Sequence, residues 1–574
     1  MSKIKPGRAF AAEHFDSFKG LGKGPIAGAK KATDIRNFRI CPDGSLEKRK
    51  GWRTLRTFPE RVRAYWEGKV GNSFYQFAIC GKTVYSINPV MGVLEICGTL
   101  SNTYTDIEFV VYEDDLYIID DSIRIFRKDP FVFEKLTPLD VYIPLYGKDW
   151  DPINGGAVYE QINLMTNHIR VSYHNAPLVS VFHLPFYASA IDSILVNGIP
   201  VTDYVFSSSS NTVTVPAASS AYSVEIGFEV ILEINNSELL TNNRSAIYPG
   251  QHHSTLFLYN TSGACKIFRT AYVSDESLKA CQALYANARS LYFRGDDVLF
   301  AGDRKYIVKA LCTHNDRVLV YTDDACWEIH CSDDEKDTVE IGSLLKGVGC
   351  ISPNAAISCQ KYPVAVNESG VYLLDFPTSG NEIPKVIKIS DDISDRLTPS
   401  FLNNCIARED VAHHELWLRD STDTEATVLV YNLDQQQWYI FDNIYAHAFT
   451  STISYNGFLS DKDLVIFDDA LDRDDDADIV ASYQSGYFSL SHPEAKKRSL
   501  RINLCADTNG NSPFLKVETE STERTFELVG SNAEPPEFFD YRVLMGRFRF
   551  LRFRLLVSGQ SNCRFYNISF YANL

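Results

Sequence analysis

The sequence predicts a mainly β fold: a β-propeller with an inserted β-sandwich domain and a C-terminal β-sandwich-like region. Three observations predict it. Aromatic residues make up 13% of the chain, with 31 Tyr and 35 Phe against 4 Met, a composition that suits strands over helices. Short apolar runs enter tight polar turns and leave as second apolar runs, the mark of hairpins. Outside one large gap these hairpins recur at a spacing that suits four-stranded blades of about 40 to 50 residues. At 574 residues the chain is long for one core, so several domains are expected.

Residues 1–56 form a basic N-terminal arm with the first strands. Lys19, Lys23, Lys30, Lys31, Arg36 and Arg39 are its candidate docking residues, and Gly20, Gly22, Gly24 and Gly28 loosen part of it. Two readings stand side by side, a solvated tail and an arm that docks on an acidic neighbour.

Residues 57–145 hold the first blades, with hairpins at 77–87 and 110–119. Residues 146–270 read as the inserted sandwich: short alternating strands at 194–206, 211–215 and 224–234, joined by the Asn197-Gly198 turn and a Ser-rich loop. Residues 271–496 resume the blades, with hairpins at 311–321 and 364–374, strands at 413–418 and 428–441, and a turn near 457. Ser274 is placed to cap a helix with apolar Leu278, Cys281, Leu284 and Tyr285, and 390–402 offers a shorter, Pro-interrupted helix. Residues 497–574 alternate again as a C-terminal β domain. Within it the apolar phase changes between Phe548/Phe550 and Leu551/Phe553/Leu555, which a β-bulge near Phe550 would reconcile.

The net charge of −17 argues against a protein that wraps nucleic acid by neutralising phosphates. It suits one that lets DNA pass, because a negative wall repels phosphate. No apolar segment is long enough to span a bilayer; the best, 178–196, is interrupted by His183, Pro185 and Asp192. The opening residues lack a signal-type apolar stretch, so cytoplasmic synthesis is expected. The 13 Cys, odd in number and set in apolar contexts, read as reduced core thiols.

No catalytic, cofactor or metal site emerges. Gly20 to Lys31 lacks phosphate-loop spacing, and neither a G-x-S-x-G elbow nor an H-E-x-x-H helix occurs. His252-His253 and His413-His414 would point to opposite faces of a strand, and Cys312, Cys326 and Cys331 lack C-x-x-C pairing. Asp468, Asp469, Asp472, Asp474, Asp475, Asp476 and Asp478 form the densest charge cluster. It alternates like a calcium loop but lacks the central Gly and has Tyr483 where the bidentate Glu belongs, so it reads as a solvated turn or channel-facing patch, with a divalent-ion site as the alternative. Glycoside hydrolysis needs two carboxylates at a set separation, which 73 acidic residues leave open. A cellular propeller scaffold would carry WD-type repeats, and none recurs.

Several stretches resemble the packaged-DNA stabilisation proteins, the tail hub or nozzle proteins of short-tailed bacteriophages. The opening Asp34-Ile-Arg-Asn37, then Pro42-Asp43-Gly44 through Arg49 to Gly51, is similar to the start of phage tail propellers, with Asp43-Gly44 as a tight turn. The order that follows also resembles the family: hairpins, a helix near 389–402, His414-Glu-Leu-Trp-Leu418, Trp438, then the closing pattern 498–500, 541–547 and 567–570. The 145–270 insertion departs from it. The resemblance implies a homo-hexameric ring in the virion tail or neck, assembled in the host cytoplasm, below the portal and adaptor proteins and above distal tail or plug proteins. Its lumen would retain packaged double-stranded DNA and conduct it at ejection without sequence recognition. It carries no catalytic residues and no cofactor. The alternative is a glycan-binding or glycan-cleaving propeller at the phage tail tip.

Overall fold

The computed structural model describes residues 10–25, 30–88, 92–103, 106–120, 122–127, 132–174, 179–216, 222–231, 237–241, 244–250, 252–261, 265–302, 306–332, 337–377, 383–451, 456–529, 536–559 and 561–573. It is mainly β, built of many small sheets. Contacts divide the chain into two units, 67–353 and the pair 1–66 with 354–574.

Antiparallel meanders of four strands each lie in the unit 67–353 at 108–135, 244–300 and 310–346, and another, at 62–99, begins five residues before that unit. The expected hairpins form in register, Phe77 opposite Ser86, Val110 opposite Tyr117 and Leu311 opposite Val320. Their turns place Gly81, Glu113 and Asn315 at positive φ. Such a turn matches the right-handed twist of the two strands it joins.

The inserted module has a five-stranded sheet, in which Val224–Val230 lies between His168–Tyr173 and Ala188–Val196, and a three-stranded sheet of Val181–His183, Thr212–Thr214 and Val205–Ser207. Asn197 and Gly198 take φ of 52° and 77° at the predicted turn. Trp150, Ile169, Val171, Phe182, Val213 and Phe228 share the module's core. The module ends near 230, short of the expected 270. Arg244–Pro249, Ser254–Tyr259 and Lys266–Thr270 instead form a meander with Phe293–Phe300. Alternating apolar strands look alike in sequence, and pairing alone assigns them. Ser274 caps the helix Asp275–Gln282 by accepting from the Ser277 N–H, and Cys281 and Tyr285 are buried as expected.

In the other unit, meanders lie at 356–388 and 405–441. A further four-stranded sheet combines Ala448–Ser451, Asn456–Ser460 and Asp463–Phe467 with Trp52–Thr57 from the opening of the chain. Its hairpin turns at Asp461, at φ 48°, and not near 457, which lies within a strand. The expected helix in 390–402 reduces to a 3-10 turn, Asp391–Ile393, and a short helix, Pro399–Asn403, capped by Thr398. The Ser390 hydroxyl is spent on the Val371 N–H.

The C-terminal region is not closed at 497. One sheet joins Lys497–Asp507, Glu537–Phe548 and Arg564–Asn573 to Phe10–Phe15, Phe38–Ile40 and Leu46–Lys48. The other joins Phe514–Thr519, Glu523–Glu527 and Leu551–Gly559 to Ala477–Ser485 and Ala32–Arg36, which continues in parallel into the 405–441 meander. The expected arm therefore contributes strands to both sheets. Phe15, Phe488, Phe553 and Phe570 pack edge-on or tilted between them, at centroid separations of 5.1–6.3 Å. Such ring pairs add about 0.5–1.5 kcal/mol each beyond burial.

The phase change near Phe550 is not a bulge. The strand Glu537–Phe548 ends in one sheet, and Leu551–Gly559 begins in the other. Phe548 is buried at the end of the first, while Leu551, Phe553 and Leu555 are buried in the second. Two residues of turn switch sheets and reset the alternation.

Candidate functional site

The opening segment and the acidic run are each other's partners. Arg49 reaches Asp474 through two bonds of 2.8 and 2.5 Å. Lys50 meets Asp472 at 2.9 Å and Arg53 meets Asp468 at 3.5 Å. Asp475 accepts from the Thr54 N–H and hydroxyl, and Arg473 pairs with Asp478. Asp469, exposed, lies 3.8 Å from His413, and Asp476 is exposed. The run is neither a cation loop nor a continuous free patch: Arg473–Asp474 and Ala477–Asp478 form a tight hairpin that aims neighbouring carboxylates at different partners. Tyr483 is buried against Phe18 and Phe553.

Most of the candidate docking residues are engaged within the chain. Lys31 pairs with Asp392, Lys30 with Glu13, Arg36 with Asp34 and Asp442, and Lys23 donates to Ser394. Lys19 is half-buried.

The turn motif is a polar lock. Arg49 is 1% exposed, and all five of its N–H donors are used: Nε on the Asn37 side chain, Nη1 on Lys50 O and Asp474, Nη2 on Asp442 O and Asp474. Asn37, at φ 55°, also bonds Val480 O and the Asp442 N–H through its side chain. Asn tolerates that backbone better than most side chains, and its amide serves three partners. Pro42 leads into the turn, where Asp43 accepts from the Ser45 N–H and meets Arg564 at 2.7 Å. Gly44 sits at φ 80°, where a Cβ would lie 2.5 Å from that of Ser17. Gly51 passes so close to Arg473 that a Cβ would fall 1.7 Å from its carbonyl oxygen.

Beside this lock lie a cleft of about 420 Å³ and a smaller one of about 180 Å³, both lined by Arg39, Lys50, Ala412, His413 and Asp469. Asp410 ends one strand and Glu415 begins the next, directly opposite in register, with His413 in the turn between them. One donor atom from each of the three lies within 4.8 Å of the others, a spacing open to a metal ion. The donor set does not fit one. Arg39 already occupies both carboxylates, at 2.8 Å to Glu415 and 3.5 Å to Asp410. Glu415 also accepts from Trp417 Nε1 and the Tyr439 hydroxyl, and Asp410 from Asn456 and His413.

Burial alone would raise the Asp410 pKa, but the His413 bond and the Arg39 and Arg408 charges hold it below the usual carboxylate range. Burial likewise opposes the charge on Arg39, and Glu415 more than restores it. Glu415 and Tyr439 are wholly buried, so the cluster acts as a clamp between strands, with Arg39, Lys50, His413 and Asp469 as the groups its clefts present.

Sequence reasoning missed Asp410, Glu415, Tyr439, Asp442 and Asn443, whose side-chain N–H donates to Asp474 at 2.9 Å. A signal was available at Glu415-Leu-Trp-Leu-Arg-Asp420, an apolar strand that carries charges at both ends of its buried run. A buried charge requires a partner. The paired histidines lie between strands and not within one as expected, so opposite strand faces do not separate them: His413 faces Asp410, His414 faces Asp434, and in the other unit His253 lies 3.5 Å from Asp337. All 13 Cys are free thiols, and burial pushes Cys312 up to about 12.

No helix among the described residues is long and apolar enough to cross a membrane. No protein-family model and no curated protein matches the chain. Among solved structures, a chain of one described as "Crystal Structure of Mitotic Checkpoint Complex" is similar at 8% identity and a TM-score of 0.33, over 73% of this chain and 94% of that one.

Proposed function

We propose that the chain is a structural virion protein of a tailed bacteriophage, a tail hub or nozzle. Copies form a ring, expected to be hexameric, below the portal and adaptor, which retains packaged double-stranded DNA and conducts it at ejection. On this reading the four-stranded meanders are propeller blades. The strand Trp52–Thr57 then closes the last of them, so that the chain's opening completes a blade built near its end.

The observation that carries the reading is the place of the residues on which the family resemblance rests. Asn37, Arg49 and Gly51 are spent on buried contacts that tie the opening of the chain to its last third. A motif used up in this way encodes architecture, which suits a protein whose task is shape. The net charge of −17 supports a wall that DNA slides past. With most of the acidic run already paired, that wall would rest on acids elsewhere, joined by Asp469 and Asp476.

Electron microscopy of the purified protein and of tailed particles that contain it tests the proposal. A symmetric ring with an open axis, in register with the portal, is expected. A protein absent from particles and monomeric under particle-like conditions would sink it.

A further inference from the structure

The strand Glu537–Phe548 is the edge of its sheet: among the described residues it pairs with Lys497–Asp507 on one side and with no strand on the other. It is 12 residues long and contains no proline. From Glu537 to Met545 its odd-numbered residues turn inward, with the Tyr541 ring tilted on that of Phe526 at 4.9 Å and its hydroxyl donating to Glu527 O. Its even-numbered residues Phe538, Asp540, Arg542 and Leu544 face outward, with Phe538 80% and Leu544 75% exposed.

Between Phe538 and Leu544 this open edge presents a row of backbone donors and acceptors, which natural proteins normally blunt or pair. Two large apolar side chains standing in water beside it add a second demand.

The outward face is complementary to its own reverse: apolar residues lie at its ends and opposite charges at its centre. When the strand is laid antiparallel on a second copy with Tyr541 opposite Tyr541, Phe538 falls opposite Leu544 and Asp540 opposite Arg542. Both pairs occur twice across the two-fold axis. Directly opposed residues share a face, so the apolar pairs and the opposite charges meet on the outer surface, where such pairs stabilise a sheet. Leu544 and Arg542 also border a groove of about 500 Å³ with Ser499, Arg501, Tyr571 and Asn573. In this register the partner's phenylalanine lies at its margin. Asp540 is held within its own copy by Arg501 at 2.9 Å, which fixes it for the second contact.

We infer that this edge is an interaction surface whose occupant is the same strand of a second copy, joined through a two-fold antiparallel pairing centred on Tyr541. The inference does not rest on the ring reading. A ring is built from head-to-tail contacts and this pairing is isologous, so the failure of one leaves the other standing.

Sedimentation equilibrium of the full chain tests it, with urea denaturation to establish that each variant is folded. The unaltered protein should show a reversible monomer–dimer equilibrium. Phe538→Glu should weaken the dimer by about tenfold or more, since each dimer loses two apolar pairs. Asp540→Arg alone should weaken it comparably by opposing like charges, and Asp540→Arg with Arg542→Asp should restore it. A protein that stays monomeric at its solubility limit would overturn the inference, as would a dimer indifferent to Phe538→Glu or a double exchange that fails to rescue. Should a variant not fold, Tyr541→Cys replaces it: a disulfide between copies is expected on mild oxidation, and its absence counts against the pairing.

Discussion

Arg49 and Asp474, 425 residues apart in the chain, face each other as a two-bonded ion pair in which each side chain is 1% exposed. The pair binds the opening segment to the strands that lead into the C-terminal sheets. Desolvation makes a buried pair of this kind a weak source of net stability, yet breaking it leaves one charge stranded. Arg49→Ala is expected to destabilise the unit 1–66 with 354–574 by about 3–5 kcal/mol. Lys50→Ala, which removes a partly exposed pair with Asp472, should cost about 1 kcal/mol or less. Urea denaturation of the two variants separates them; equal losses would refute the lock.

Gly51 tests close approach. No rotamer relieves a Cβ that falls on the Arg473 carbonyl, so Gly51→Ala must move backbone and should cost about 3 kcal/mol or more. Gly342→Ala, with its nearest neighbour at 3.8 Å and no positive φ, should be close to neutral. Thermal unfolding of both variants checks this.

Stability should fall on mild acidification. Burial, with Arg61 nearby, holds His447 below its ordinary pKa despite the bond that Nε2 donates to Val62 O at 2.7 Å, and burial with Arg317 does the same for His314. In each case the unfolded chain binds the proton more readily. The stability that depends on the neutral ring is therefore complete above about pH 6.5 and is lost as the pH falls toward the lowered pKa. Asp410 acts in a separate, more acidic window: its pKa is depressed, so its contribution is present above about pH 3.9 and disappears as the pH falls through its folded value. Denaturation midpoints measured across pH should decline in two stages, and His447→Gln should flatten the first.

Arg39 stands where a cation would otherwise sit between Asp410 and Glu415. Divalent ions should leave the melting temperature of the unaltered protein unchanged. Arg39→Ala should destabilise it, and Zn²⁺ or Mn²⁺ should then recover part of the loss through Asp410, His413 and Glu415. Metal-dependent stabilisation of the unaltered protein would refute the clamp.

The hairpins were legible in the sequence because their signals are local. Val110–Tyr112 against Asp115–Ile119 needs only alternation and a turn, and Asn197-Gly198 names its own turn type. The Ser274 cap was legible for the same reason. The inserted module's end at 230, the sheet change between Phe548 and Leu551, and the Asp410–Glu415 clamp were not. Each depends on which strand lies beside which, and alternation carries no record of a partner.

Composition, alternation and charge blocks are written residue by residue, and they carry the mainly β character, the basic opening and the acidic run near 468–478. That the basic opening and the acidic run belong together came from the folded chain alone. A charge in a sequence has a sign but no neighbour, and burial with a chosen partner turned Arg49 and Asp474 from two unrelated features into one lock.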